Sequence, residues 1–292
     1  MTQRNATVVV VGSLHYDVMV DAPDRPRKGE TVTGRSWAPK CGGKGGNQAV
    51  AAARAGIDTL MVGAVGDDDF GHALLANLER AGVERSAVVT IAGAGSGMSV
   101  AIFDDGGDYG AVIVSGANLA ITPDQLNNAR LAAAKVLVLQ NEILETVNAA
   151  LAARAHRHGL TVVLNAAPAR DFTTDLLKDV DVLVVNAVEA EMLGGGVVDS
   201  LERALAAARA LTTTCETVVV TASGYGVAAA DRKGLAVTMP AIPIMVASTH
   251  GAGDAFVGTF AAALAKGTTL GESLDAANRE AARIVSTPEP LR

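Results

Sequence analysis

VLVLQNEILETVNAALAARAHRHGLTVVL, residues 136–164, decides the fold. Its two ends, 136–139 and 161–164, are short, rich in Val and Leu, and apolar at nearly every position. Such runs suit strands covered on both faces. The Ala-rich segment 145–158 between them carries its Glu, Arg and His at intervals and reads as a helix. Working outward, the same rhythm recurs. Strands are expected at 8–11, 59–62, 182–185 and 217–220, and helices at 47–55, 71–81, 200–211, 252–265 and 270–285. This alternation predicts an α/β fold, a doubly wound, mostly parallel sheet flanked by helices, in a single domain spanning 1–292.

Two regions break the rhythm. Residues 14–40 hold alternating segments at 16–20 and 31–37 around a Pro- and Gly-containing turn. Residues 97–115 repeat the theme, with 98–103, a D-D-G-G-D turn at 104–108, and 109–114. Both read as antiparallel hairpins, either plain surface hairpins or a small β-sheet lid over a cleft. A further hairpin, 226–230 with 235–238, reads as a sheet edge.

Hydrophobic residues make up 49% and charged residues 19% of the chain, enough apolar surface for a large core and too much for disorder. The net charge of -7, with no Lys/Arg run, argues against nucleic acid as a partner. The two cysteines, Cys41 and Cys215, are far apart and suit a reducing cytoplasm. Residues 1–7 lack the pattern of a signal peptide, and no long uncharged apolar stretch suits a membrane span.

The strongest motif is Gly251-Ala252-Gly253-Asp254. Small residues open a predicted helix, so a phosphate can approach backbone N–H groups that have no intrahelical partner. Asp254 in the first turn is placed to meet a hydroxyl beside that phosphate, or only to complement the helix dipole. A second glycine run, Gly42-Gly43-Lys44-Gly45-Gly46, precedes another Ala-rich helix. So many glycines cost backbone entropy, and imply a close approach to this backbone, unusual dihedrals, or a flexible loop. Lys44 is followed by Gly45 rather than Ser or Thr, so this is no Walker A loop, and no strand–GxGxxG–helix fingerprint occurs. The five histidines show no metal-ligand spacing.

These motifs resemble those of the ribokinase-like (PfkB) sugar kinases. The resemblance is carried by Gly12-Ser13 with Asp17, G-E-T-V-T-G at 29–34, G-G-K-G-G-N-Q-A-V at 42–50, A-V-G-D-D-D-F-G at 64–71, N-A-A-P-A-R at 165–170, N-x-x-E at 186–189 and G-A-G-D at 251–254. It implies ATP-dependent phosphorylation of a sugar hydroxyl, of ribose or a related pentose. A nucleoside or sugar-acid kinase, or a silent nucleotide-binding regulator, are the alternatives. By the resemblance, Asp17, Gly43, Lys44, Asn47 and Glu142 contact the sugar, with His15 where the family has Asn. Asp254 is the base, and the N–H groups of Gly251, Ala252 and Gly253 stabilise charge on the transferring group. Asn186 and Glu189 organise Mg2+ and phosphates through water, or are only a helix cap with an acid in the first turn. Thr221, Ser223, Gly224 and Gly226 form the nucleotide turn, with Ser223-Gly224-Tyr225-Gly226 replacing the more usual Gly-Ser-x-Gly, and Asn278 borders the adenine. A homodimer through the lid is implied. His15 beside Tyr16 offers an aromatic pair that suits a base or a larger sugar. Ser248 stands where the family's cation loop has Asp, and the chain stops after 285–288 without a Gly-Ala-x-x-Ser tail, so potassium activation is not expected.

Overall fold

The computed structural model describes residues 6–106, 109–170 and 172–288. Residues 1–5 of the N-terminal segment and Gly107 and Asp108 of the expected turn lie outside that set. The strands are β1 (Val8–Val11), β2 (His15–Asp21), β3 (Ser36–Gly42), β4 (Thr59–Gly66), β5 (Glu84–Ile91), β6 (Met98–Phe103), β7 (Tyr109–Val114), β8 (Val136–Gln140), β9 (Thr161–Asn165), β10 (Val182–Asn186), β11 (Thr217–Thr221), β12 (Gly226–Asp231) and β13 (Ala236–Pro240). The α-helices are α1 (Lys44–Arg54), α2 (Asp69–Arg80), α3 (Asn128–Ala133), α4 (Glu145–Arg157), α5 (Thr174–Leu177), α6 (Ala187–Met192), α7 (Leu201–Leu211), α8 (Ala252–Ala265) and α9 (Leu270–Ser286).

Among the described residues the large sheet has nine strands in the order β13-β12-β11-β10-β9-β8-β1-β4-β5. From β11 to β5 every pair is parallel, and the antiparallel β12–β13 hairpin closes one edge. Alternation along the central strands divides the core in two. Val9, Val11, Leu137 and Leu139 face one buried cluster with α4 and α7. Val8, Val10, Val136 and Val138 face the other, with α1, α8 and α9. This two-sided burial explains the continuous apolar runs. The chain leaves β1 for β4 on one side and returns to β8 on the other, so β1 and β8 flank the point where the strand order reverses. Ligand sites of open α/β sheets form at such points, beyond the carboxyl ends of the strands.

The second sheet has the order β3-β2-β6-β7. Each hairpin is antiparallel, as expected, but β2 and β6 join them in parallel. Its one clear departure is β3, expected at 31–37 and found at Ser36–Gly42. Thr31 to Arg35 are exposed or nearly so, so their alternation finds no face to bury. Pro39 is tolerated in β3 because this is an edge strand. The shift matters, because β3 now runs directly into the glycine run. β5 escaped the sequence reading because polar residues interrupt it (E-R-S-A-V-V-T-I) and only Ala87 is fully buried.

Candidate active site

The site is built where two helices begin, each after a glycine. Gly43 caps α1 with φ 81° and Gly251 caps α8 with φ 78°, a region that L side chains rarely adopt. α1 carries Lys44, Asn47 and Gln48, and α8 carries Asp254 in its first turn. The helices pack against each other and bring the four together, although Asn47 and Asp254 are 207 positions apart.

Asp254 is buried, with 9% of its surface exposed. Its Oδ2 accepts a hydrogen bond from Asn47 Nδ2 and its Oδ1 one from Gln48 Nε2, both at 3.0 Å. Burial pushes the carboxyl above its ordinary value, the Lys44 ammonium and the two amides pull it back, and Glu142 pushes it up. The carboxylate is thus held in place and electrostatically poised.

Glu142, in the turn after β8, gathers groups from β2, α1 and the segment between β1 and β2. Its Oε2 accepts from Ser13 Oγ and from the backbone N–H of Lys44 at 2.9 Å, and lies 3.9 Å from His15 Nδ1. Asp17 on β2 accepts from Ser99 Oγ of β6. Burial raises its pKa, while Ser99, His15 and His250 oppose the shift. The parallel join of the two hairpins of the small sheet therefore orients Asp17.

His15 and Tyr16 do not form a pair. Neighbouring strand residues point to opposite faces, so His15 is buried toward Glu142 while Tyr16 stacks on Phe70 of α2 with centroids 4.4 Å apart. The aromatic argument for a nucleobase fails on that geometry.

The glycine run 42–46 does not form a loop. Gly42 ends β3, Gly43 caps α1, and Gly45 and Gly46 already lie in the helix. What approaches this backbone is the chain itself: a methyl group on Gly43 would lie 2.7 Å from His15 N and 2.8 Å from Ser13 O. At Gly251 and Gly253 the same methyl meets nothing within 4 Å, so the start of α8 faces open space.

On the far side of the site, Asn186 and Glu189 make a capping box at the start of α6. Asn186 Oδ1 accepts from Glu189 N, and Glu189 Oε2 accepts from Asn186 N, both at 2.8 Å. Glu189 is buried, which raises its pKa; the Lys44 ammonium lowers it and Asp254 raises it. Lys44 thus acts electrostatically on both carboxylates, while its backbone serves Glu142. Thr221 ends β11, and Ser223 and Gly224 are exposed in the turn after it. Ser223 has φ 47°, an uncommon region for a non-glycine residue. Gly226 has φ 115° and begins β12. Asn278 on α9 donates to Pro240 O at 3.1 Å, so it ties α9 to the edge hairpin.

Gln48, Asn165, Ser99 and Ser13 were not singled out as functional from the sequence. Gln48 did leave a signal, a fully buried amide in the otherwise Ala- and Val-rich stretch of α1.

Strand order reverses at β1 and β8, and beyond that point a buried carboxylate in the first turn of α8 stands behind an open glycine start, a place where open α/β sheets bind ligands. The sequence matches the pfkB family of carbohydrate kinases over residues 5–290, and the chain belongs to that family. It is 36% identical over 276 residues to ribokinase of Bacillus subtilis (strain 168), covering 94% of this chain and 91% of that protein. It is 34% identical over 258 residues to deoxyribokinase of Salmonella typhi, covering 87% and 84%. The structure of Arabidopsis thaliana ribokinase complexed with ribose and ATP superposes with a TM-score of 0.90 at 28% identity, covering 97% of this chain and 94% of that one. Adenosine kinase from Sinorhizobium meliloti, at 19% identity and a TM-score of 0.82, shares the fold. The protein is an ATP-dependent sugar kinase.

Proposed function

We propose that the protein phosphorylates a hydroxyl of ribose or 2-deoxyribose, with Asp254 as the base. The observation that carries this is the Asp254 carboxylate, buried at the start of α8, held by Asn47 and Gln48, and facing both the Glu142 cluster and the open backbone of Gly251 and Gly253. Asp17, Gly43, Lys44, Asn47 and Glu142 bind the sugar hydroxyls, with His15 supporting Glu142. The γ-phosphoryl group lies before α8, where the first-turn N–H groups of Gly251, Ala252, Gly253 and Asp254 take up charge developing on its oxygens. Transfer is in-line, and positioning contributes most of the rate. The Lys44 ammonium, within electrostatic reach of Asp254 and Glu189, bridges the sugar and phosphate sides.

Thr221, Ser223, Gly224 and Gly226 shape the nucleotide turn, and Asn278 borders the adenine. Among the described residues no group of three or more His, Cys, Asp and Glu is placed to hold a metal ion. Asn186 and Glu189, joined by their reciprocal hydrogen bonds, would order the water shell of a magnesium ion carried with the nucleotide. Bound there, the ion neutralises charge on the β- and γ-phosphates.

The small sheet, from about 14–40 and 97–115, acts as a lid on one α/β domain. Trp37 and Val112, each 67% exposed, and Val114 give it an apolar outer surface that suits a homodimer through the lid. A cytoplasmic location accords with Cys41 and Cys215 as free thiols. An ADP-release assay over ribose, 2-deoxyribose, adenosine and sugar acids tests the assignment. Turnover is expected to be highest with the two pentoses; preference for adenosine, or ATP binding without turnover on any of the panel, would overturn it.

A further inference from the structure

The two oxygens of Asp254 are held in different surroundings. Oδ2 is met by Asn47, which is half-buried and lines the cleft. Oδ1 is met by Gln48, which has no exposed surface at all. The Gln48 Nε2 amino group also donates to Asn165 Oδ1 at 3.0 Å, at the carboxyl end of β9. Asn165 Nδ2 in turn donates to the backbone carbonyl of Val184 in β10 at 3.3 Å.

That chain has only one direction. A backbone carbonyl can only accept, so Asn165 must turn its amino group toward Val184 and its oxygen toward Gln48. Gln48 must then present its amino group, whose two hydrogens serve Asn165 and Asp254. Its own Oε1 is left buried without a partner. A flipped amide would satisfy neither neighbour and would set oxygen against carboxylate. The fold leaves one side-chain carbonyl of α1 without a partner while keeping a donor on Asp254 Oδ1.

We infer that Gln48 is a positioning residue: anchored through Asn165 of β9 to the Val184 carbonyl of β10, it holds Asp254 Oδ1 and reserves Oδ2 as the atom that receives the substrate proton. The inference rests on the kinase mechanism above. In the step it serves, the sugar hydroxyl oxygen bonds to the γ-phosphorus while the bond from that phosphorus to the β–γ bridging oxygen breaks. ADP leaves with the electron pair, and the hydroxyl proton ends on Oδ2.

A donor on Oδ1 also favours the ionised carboxylate. Lys44 on α1, Glu142 after β8 and Glu189 on α6 are the charged groups that face Asp254, and none of them changes when Gln48 is replaced. Loss of the amide raises the pKa of the base, so activity fails at a higher pH as the pH is lowered. A merely structural role for Gln48 would leave that limb in place.

The test is kcat and sugar KM against pH for the full chain carrying Gln48→Met, Gln48→Glu or Asn165→Ala, with thermal melts and Asp254→Asn as the reference. Gln48→Met is expected to lower kcat about tenfold, keep KM within about threefold and move the acid limb up by about one pH unit. Gln48→Glu, which keeps the shape and sets a second carboxylate beside Asp254, moves it further, and decides the matter if the Met variant does not fold. Asn165→Ala moves it less, in the same direction. An unmoved acid limb in the Gln48 variants, with Asp254→Asn inactive, overturns this inference alone. An active Asp254→Asn overturns the role of Asp254 as base and this inference with it.

Discussion

The starts of α1 and α8 look alike in sequence and do opposite work. Each has a glycine cap with φ near 80°, small residues, and a polar side chain that reaches the site. At α1 the glycines are needed because the chain packs against itself, Gly43 on the backbone of Ser13 and His15. At α8 the glycines face nothing within 4 Å. Glycine at the first is a requirement of packing; at the second the backbone of Gly251 still calls for it, but the space in front stays empty, where the proposed mechanism puts an anion. A glycine-rich helix start therefore marks a phosphate site only when its front is empty.

The largest expected effect strikes the α8 side. Asp254→Asn should lower kcat by at least about two to three orders of magnitude while ATP affinity stays within several-fold, because orientation and proton acceptance have that size. Steady-state kinetics with ATP binding measured by calorimetry check it.

The paired alanine substitutions cross over. Gly43→Ala forces a side chain into a glycine-only backbone region and onto a neighbouring backbone, and should cost roughly 2–4 kcal/mol of stability. Gly253→Ala leaves stability unchanged or gains up to about 1 kcal/mol, since alanine is the better helix former. Yet it should cut kcat/KM for ATP at least about tenfold by filling the anion's space. Urea denaturation and ATP titration of both variants separate the two roles; a destabilised Gly253→Ala or a stable Gly43→Ala would erase the contrast.

A third turn sharpens it. Ser223 holds φ 47° in the turn after β11 without being glycine. Ser223→Gly should add about 0.5–1 kcal/mol of stability by relieving that strain, read as a raised urea midpoint. The smallest effect concerns cations before α8. Ser248 offers a neutral hydroxyl that accepts from His250 N at 3.3 Å, and the Val285 carbonyl already accepts from Ala247 and Ser248. Exchange of potassium for tetramethylammonium at equal ionic strength should therefore change kcat by less than about threefold, roughly 0.6 kcal/mol; a tenfold drop would show a working cation site.

The sequence made the large sheet legible apart from the polar edge strand β5, because its signals are local: apolar runs buried on both faces, and helices with their own caps. The expected helix 252–265 is the observed α8. What stayed hidden depends on distant partners. β3 was misplaced because alternation at 31–37 looks the same whether or not a sheet lies beneath it. The parallel join of β2 to β6 pairs segments more than 80 positions apart. Gln48 and Ser99 orient Asp254 and Asp17 across 206 and 82 positions, and no spacing rule reaches that far. Asn186 and Glu189 were legible in both senses, and their capping box is the geometry of the simpler one.

The span between Asn47 and Asp254 also sets a timetable for the newborn chain. Ribosomes add about 5–20 residues per second, so the α1 amides emerge roughly 10–40 s before the carboxylate they hold. Throughout that interval α1 lacks the helix against which it packs, and no shortened product that stops before α8 contains the base proposed above. On the proposed mechanism turnover can begin only after α8 has docked onto α1, so its onset in a translating extract sets the latest time for that docking.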